Sequence, residues 1–137
     1  MIYPRFPITT HGDTSTIHNL LKTWKYCLID KDMAGILDTY SPDAVLLGTF
    51  ATNIKQGRNI IGTYFEGLFK KKGLSVKFMP EDFINKFKDG AIISGIYTFS
   101  YDEGGKTHKV KARYTFACKY RNERHFIINH HSSVVPE

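Results

Sequence analysis

This sequence is poor in the features that announce a function. Its 137 residues hold only two cysteines, Cys27 and Cys118, with no metal or redox spacing between them. Both read as free thiols in the core, Cys27 on a helical apolar face and Cys118 in a strand. No run of about 18 apolar residues occurs, so no membrane-spanning helix is expected. The start, Met1-Ile2-Tyr3-Pro4-Arg5, lacks a basic stretch followed by an apolar block, which argues against a signal peptide and for a cytoplasmic protein. There is no phosphate loop, no dinucleotide fingerprint and no nucleophile elbow. Six histidines are present, but no His-x-x-x-His. His130 and His131 are neighbours on a strand, where successive side chains point to opposite faces, so the two cannot chelate one ion. No metal and no cofactor are expected.

Acid is scarce where chemistry would need it. The carboxylates fall in turns and caps: Asp13, Asp30, Asp32, Asp43, Glu81, Asp82, Asp89, Asp102, Glu103 and Glu123. The strands that would line a cavity offer only histidine as a general base. The net charge is +6, but the cations are scattered apart from Lys70-Lys71-Lys72 beside a helix end. That spread disfavours nucleic acid and favours an acidic small ligand or partner.

What is present is a core. Apolar residues make up 42% and aromatics 14% of a chain that suits one compact domain. Residues 1–14 read as an irregular arm with two prolines, ending in a helix cap at Asp13 or Thr14. Ile17, Leu20, Leu21, Trp24, Cys27 and Leu28 then form one stripe of a four-turn helix. Asp30-Lys31-Asp32 breaks it and caps a second helix, Met33 to Tyr40, which Ser41-Pro42-Asp43 ends. A short strand over 44–50 and a turn at Gln56-Gly57-Arg58-Asn59 lead to a third helix. Its stripe is Ile61, Tyr64, Phe65, Leu68 and Phe69, and Gly73 stops it.

From there the pattern is strands. Leu74 to Met79 alternates, Pro80-Glu81-Asp82 interrupts, and Phe83 to Phe87 resumes. Ile92 to Tyr101 and His108 to Tyr120 pair around the loop 102–106. After Arg121-Asn122-Glu123-Arg124 the last strand begins at His125. By strict alternation Phe126, Ile128, His130 and Ser132 share one face, and Ile127, Asn129, His131 and Ser133 the other. Each face is apolar at its start and polar at its end, which reads as a strand covered on both sides whose far end lines a polar cavity or interface. The order, three helices with one strand among them and then an antiparallel meander, is α+β with helices on one face of a curved sheet. The second sheet face, apolar at Ile92 to Phe99, Tyr114 to Ala117 and Phe126 to Ile128, needs cover from another chain, and a homodimer or higher oligomer is expected.

The residues also carry a resemblance. Trp24, Asp43-Ala44-Val45-Leu46-Leu47, Gln56-Gly57-Arg58, Tyr64-Phe65-Glu66, Ser94 to Phe99, Ala112-Arg113-Tyr114-Thr115-Phe116 and His130-His131-Ser132-Ser133 with Pro136 follow in order. From about residue 15 onward the chain resembles the nuclear transport factor 2-like (cystatin-like cone) superfamily. Within it the resemblance is to the association, or hub, domain of calcium/calmodulin-dependent protein kinase II and its stand-alone bacterial relatives, some labelled SgcJ/EcaC-type oxidoreductases. It implies a cone over residues 15–137, three N-terminal helices closing over a strongly curved antiparallel sheet, with a pocket between them and oligomers built through sheet faces. It also implies a small anion in the pocket. The hub's basic pocket is reduced here to Arg113, with Ser132-Ser133 where the hub is basic. Ketosteroid isomerases share the fold but use an aspartate where this chain has Gly48, and no redox residue stands behind the oxidoreductase label.

The candidate ligand-binding residues are Arg113, His131, His130, Tyr97, Tyr64, Trp24, Asn129 and Ser133, with no catalytic residue singled out. The leading expectation is a self-associating domain that binds a small polar or anionic molecule in its cone. Two others stand beside it: an isomerase, dehydratase or hydrolase using a histidine base, and a pure assembly module. A closed, dry, packed interior favours the last.

Overall fold

The computed structural model describes residues 14–137. The expected arm, with Asp13, lies outside the described residues but for Thr14. Three helices come first, α1 (Ser15–Ile29), α2 (Met33–Asp38) and α3 (Arg58–Leu68). Two strands sit among them, β1 (Tyr40–Leu47) and β2 (Lys55–Gln56). Four more follow: β3 (Lys72–Phe87), β4 (Gly90–Glu103), β5 (Lys106–Arg121) and β6 (Arg124–Val134). They form one six-stranded sheet in the order β2-β1-β6-β5-β4-β3. All neighbours are antiparallel except β1 and β6, which run parallel. The fold is α+β, with the helices packed on one face of the sheet.

The apolar periodicities account for the layers. Ile17, Leu20, Leu21, Trp24 and Leu28 of α1 are buried, as are Ile61, Tyr64, Phe65 and Leu68 of α3. They meet the inward row of each strand: Val76 of β3, Ile93, Tyr97 and Phe99 of β4, Ala112, Tyr114, Phe116 and Cys118 of β5. Trp24 is the hub of this layer. Its indole stacks on Tyr97 at 5.8 Å and meets Phe65, Phe78 and Phe116 edge-on. Cys118 is a buried free thiol whose pKa burial pushes up to about 12, and Cys27 is free and half-buried. Thr14 holds the N-cap position of α1 without a side-chain cap bond, whereas Asp32 caps α2 through the Gly35 amide.

Prolines and one extra residue set the departures from regular alternation. The strand expected over 44–50 begins earlier, at Tyr40. Pro42 has no N–H to give, and the β1–β6 ladder is irregular between Tyr40 and Val45, where Pro42 lies. In the same stretch Arg58 Nε–H donates to the Tyr40 carbonyl at 2.9 Å, tying the start of α3 to β1. Pro80 does not split β3. It sits in a register shift between Phe78 and Asp82 on an edge strand, which tolerates it. Two of the meander's three hairpins, β4–β5 and β5–β6, close through two-residue turns, Gly104-Gly105 and Asn122-Glu123, with φ of 64°, 75°, 53° and 67°. Positive φ at both positions suits the right-handed twist of the flanking strands.

The faces of β6 differ from strict alternation. Ala117 pairs with Asn129 and Cys118 with Ile127, so Ile128 is an extra residue in a β-bulge. The inward row is therefore His125, Ile127, His130 and Ser132, all buried. The bulge explains why each parity class in the sequence changes from apolar to polar halfway along: one inward face switches parity at residue 128.

The bulge makes a sharp expectation. Deleting Ile128 should leave a regular ladder with His130 and Ser132 still inward, whereas deleting His131 should turn Ser132 outward. Urea unfolding of the two deletion variants should show cooperative unfolding with a modest loss for the first and a large loss for the second. Equal losses would contradict the register.

Candidate functional site

The polar side chains around His130 form one connected chain of hydrogen bonds. Trp24 Nε1–H donates to the Tyr40 hydroxyl at 3.0 Å. Tyr40 Oη lies 2.8 Å from His130 Nδ1, and Tyr97 Oη lies 3.1 Å from His130 Nε2. Tyr97 donates to Ser132 Oγ at 2.7 Å, and Ser132 in turn bonds Thr49. The ring of His130 is buried and stacked on Phe116 at 3.9 Å.

The direction of the chain follows from its first member. An indole N–H only donates, so the Tyr40 oxygen accepts from Trp24 and spends its single proton on His130 Nδ1. His130 is then the Nε2–H tautomer and donates to Tyr97. Tyr97 passes its proton to Ser132, and Ser132 and Thr49 share a hydrogen bond that either hydroxyl can donate. This assignment uses a neutral imidazole. Burial, with a smaller effect of the neighbouring His131, pushes the pKa of His130 down to about 3. Burial likewise raises Tyr40 and Tyr97 far above the ordinary tyrosine range, so both stay hydroxyl donors.

The chain ends at a cleft of about 270 Å³. Thr49, Asn53, His131, Ser132 and Ser133 give it polar walls, and Leu47 and Ile54 give it apolar ones. Tyr64 packs against Gly48 behind the cleft wall. Its hydroxyl bonds the backbone of Thr49 and Phe50, and a Cβ on Gly48 would overlap its ring. No carboxylate side chain at residue 48 fits beneath Tyr64. Among the described residues no cluster of three or more metal-type side chains occurs, and no helix is long and apolar enough to cross a membrane.

The eight residues expected from sequence thus divide. Trp24, Tyr97 and His130 lie in the buried chain, with Tyr64 beside it. His131 and Ser133 line the cleft. Arg113 is exposed on the outer sheet face, reaching Ser133 Oγ at a long 3.4 Å. Asn129 is exposed on that face beside Ala117 and Val45, apart from the cleft. Sequence reasoning missed Tyr40 and Thr49, and left Ser132 out although it shares a face with His130. Ser132 could have been found from that two-residue spacing. Tyr40 could not, because it read as the end of a helix. Asp82, expected in an interrupting turn, lies in β3 and pairs with His18 of α1 at 2.9 Å.

A curved sheet closed by helices over a buried aromatic and polar layer defines the class: a cystatin-like, nuclear transport factor 2-like cone. Solved structures bear this out. A protein of unknown function with a cystatin-like fold from Nostoc punctiforme is 19% identical, with 93% of this chain and 95% of that chain covered and a TM-score of 0.78. A candidate dehydratase of the same fold family from Streptomyces avermitilis is 10% identical, with 93% and 100% covered and a TM-score of 0.80. The sequence profile of the calcium/calmodulin dependent protein kinase II association domain matches residues 13–136, and the chain belongs to that family. A structure from Xanthomonas campestris described as such an association domain is 33% identical, with 98% of this chain and 94% of that one covered and a TM-score of 0.84. No curated protein matches the chain.

The buried histidine makes stability depend on pH with a definite sign. Below its ordinary value of 6.5 and down to about 3, the unfolded chain holds a proton on this ring that the folded chain excludes. Stability is therefore greatest above pH 6.5 and falls as pH is lowered, by about 1.4 kcal/mol per pH unit from this group alone. Urea midpoints between pH 7 and 4 should fall less steeply in His130→Gln than in the natural protein. Parallel slopes would mean the ring takes a proton while folded.

Proposed function

We propose that this domain is a self-assembling association unit that pairs through the outer face of its sheet. The observation that carries this reading is the contrast between the two faces. The inner face is buried and packed: Tyr97, Phe116 and His130 all meet the Trp24 indole within the aromatic layer. On the outer face, Asn85, Ile92, Ala117, Asn129 and Val45 form one row across five strands. Phe83, Ser94, Thr115, His131 and Leu47 form the next. Ile92, Ala117, Val45 and Leu47 are only partly covered, and Phe83 is 64% exposed. The face is more mixed than the sequence suggested, with hydroxyls, His131 and Arg113 between the apolar positions. Such a mixture is ordinary for a protein interface. A twofold partner covers it with the same face, and membership of an association-domain family supports a second copy as the occupant.

A small ligand is a second reading, favoured by the polar cleft at the end of the hydrogen-bond chain. The Thr49 and Ser133 hydroxyls and the His131 ring on its walls suit a small polar molecule such as a carboxylate or hydroxy-acid. The ligand then sits at the end of the cone beside His131 and Ser133, outside the aromatic layer. Both nitrogens of His130 are occupied, which leaves His131 as the histidine a ligand meets.

Light scattering at micromolar concentration should give twice the 15.7 kDa chain mass, through an interface of about 1,200–2,000 Å². Ala117→Glu, which sets a carboxylate against Ile92, should shift the protein to monomer. A natural protein that stays monomeric at high concentration would refute the pairing. For the cleft, a thermal-shift series of small carboxylates and hydroxy-acids should stabilise the protein by about 2.7 kcal/mol at 100 times the dissociation constant. Ser132→Ala should cost roughly 1–3 kcal/mol by stranding Tyr97 and abolish that response, while Arg113→Met should keep it. Loss in Arg113→Met with retention in Ser132→Ala would place the ligand on the outer face instead.

A further inference from the structure

We infer a small-molecule site apart from the Thr49 cleft: a groove between α3 and the loop after β1 that takes an amphipathic carboxylate of the medium-chain fatty acid kind. The groove holds about 450 Å³, within the range of small-molecule sites. Its floor is apolar, with Phe50 and Ala51 from the loop and Tyr64 and Leu68 from α3. Lys55, in β2, and Lys71, between α3 and β3, supply its two charges. Among the described residues no carboxylate side chain lines it.

Three features of the groove point to a ligand. The first is its pair of cations. Ion pairs among the described residues join His18 to Asp82, Lys119 to Asp89 and Arg124 to Asp38, and neither Lys55 nor Lys71 gives its ammonium hydrogens to another described residue. Lys71 is also positioned. Lys31 Nζ–H donates to its carbonyl at 2.8 Å, and its own ammonium lies 4.0 Å from the centre of the Tyr101 ring and 5.4 Å from that of Phe50. Ring faces attract the cation and leave its outward N–H groups for an acceptor. The second feature is Gly67, near the end of α3. Its backbone does not call for glycine, since the positive-φ glycines are Gly57, Gly73, Gly104 and Gly105. Nothing lies within 4 Å of the place its Cβ would take, so no neighbour calls for glycine either. Glycine in a helix is less stable than alanine; here the missing side chain keeps the groove open. The third is apolar surface that sheet pairing does not reach. Ile60, Thr63 and Gly67 follow one another along one side of α3, and Ile60 is 49% exposed.

The roles divide by charge. The carboxylate meets Lys71 and Lys55, and the alkyl chain lies past Gly67 on the apolar floor. Thr63 Oγ1 donates to the Ile60 carbonyl at 2.6 Å, and the Tyr64 hydroxyl is bonded to the backbone of Thr49 and Phe50. The lysines are therefore the donors left for the head group. A neighbouring cleft across Gly67 and Lys71 is larger, about 570 Å³, but has Asp102 and Glu103 in its wall and suits an anion less well. The site is independent of sheet pairing, and it shares only Ala51 with the Thr49 cleft.

Octanoate is the probe, at concentrations where it is monomeric. Followed by ¹H–¹⁵N spectra, it should shift the amides of Thr63, Gly67 and Lys71 in a saturable way. Hexanoate should bind roughly ten times more weakly, since two fewer methylenes are buried. Octanol, which lacks the charge, should bind several-fold more weakly than octanoate. Gly67→Leu should abolish the saturable shifts while the urea midpoint holds or rises, because leucine is the better helix former and meets open space there. Lys71→Gln should weaken octanoate several-fold and leave octanol unchanged. The comparison of the three ligands needs no variant and stands even if one fails to fold. The inference is overturned by octanol binding as tightly as octanoate, by undiminished octanoate binding in Gly67→Leu, or by shifts that do not saturate. Saturable shifts confined to residues 131–134 would overturn it and support the Thr49 cleft instead.

Discussion

An imidazole ring with both nitrogens in the core has to find a donor and an acceptor there, and most of the structure near His130 answers that demand. Leaving either nitrogen unpaired costs about 1–3 kcal/mol. The acceptor nitrogen is met by Tyr40 from β1 and the donor nitrogen by Tyr97 from β4. Each tyrosine needs a partner in turn, and these come from α1 as Trp24 and from β6 as Ser132. One ring therefore sets the relative positions of a helix and three strands. The aromatic contacts around Trp24 add packing to an arrangement that the hydrogen bonds have already oriented.

The bulge at Ile128 lets this arrangement coexist with an ordinary apolar core. Ile127 faces inward below it, beside Cys118, and His130 faces inward above it, beside Phe116. Without an extra residue, a strand placing Ile127 inside would place His130 outside. The bulge also bends β6 where β1 runs alongside it, and the irregular stretch around Pro42 lets β1 follow. A register shift around Pro80 occurs on the far edge, in β3. Bulges increase local twist and bend the strand, which supplies the curvature that a flat six-stranded sheet would lack.

Much of this was legible in the sequence, and the exceptions have physical causes. The stripes of α1 and α3, the meander and the family resemblance led directly to the cone. β1 was read too late because Ser41-Pro42-Asp43 resembles a turn. Only the parallel partner β6 holds Tyr40 in a strand. The faces of β6 were misassigned beyond Ile127 because a bulge leaves no local signal when apolar residues flank it on both sides. The site was legible in part for the same reason. Trp24, Tyr97 and His130 could be nominated, but their connection runs through Tyr40, whose role depends on the tertiary pairing. Arg113 was drawn into the set as the only strand arginine in the matched motifs, and its inward neighbours Ala112 and Tyr114 already occupy the core face.

The order of strands in space has a consequence for how the chain reaches this state. β6 is the last of the six along the chain, yet it lies in the interior of the sheet, with β1 on one side and β5 on the other. Until it arrives, β2-β1 and β5-β4-β3 are two separate ribbons, each with an open edge. During synthesis no partial chain can close the sheet, because the joining strand is the last of the six to leave the ribosome. Pairings between β1 and β6 span most of the chain, and such distant contacts slow folding. The half-made sheet thus exposes two sticky edges for as long as β6 is missing, and a cell making it has reason to shield the nascent chain until residue 134 has emerged.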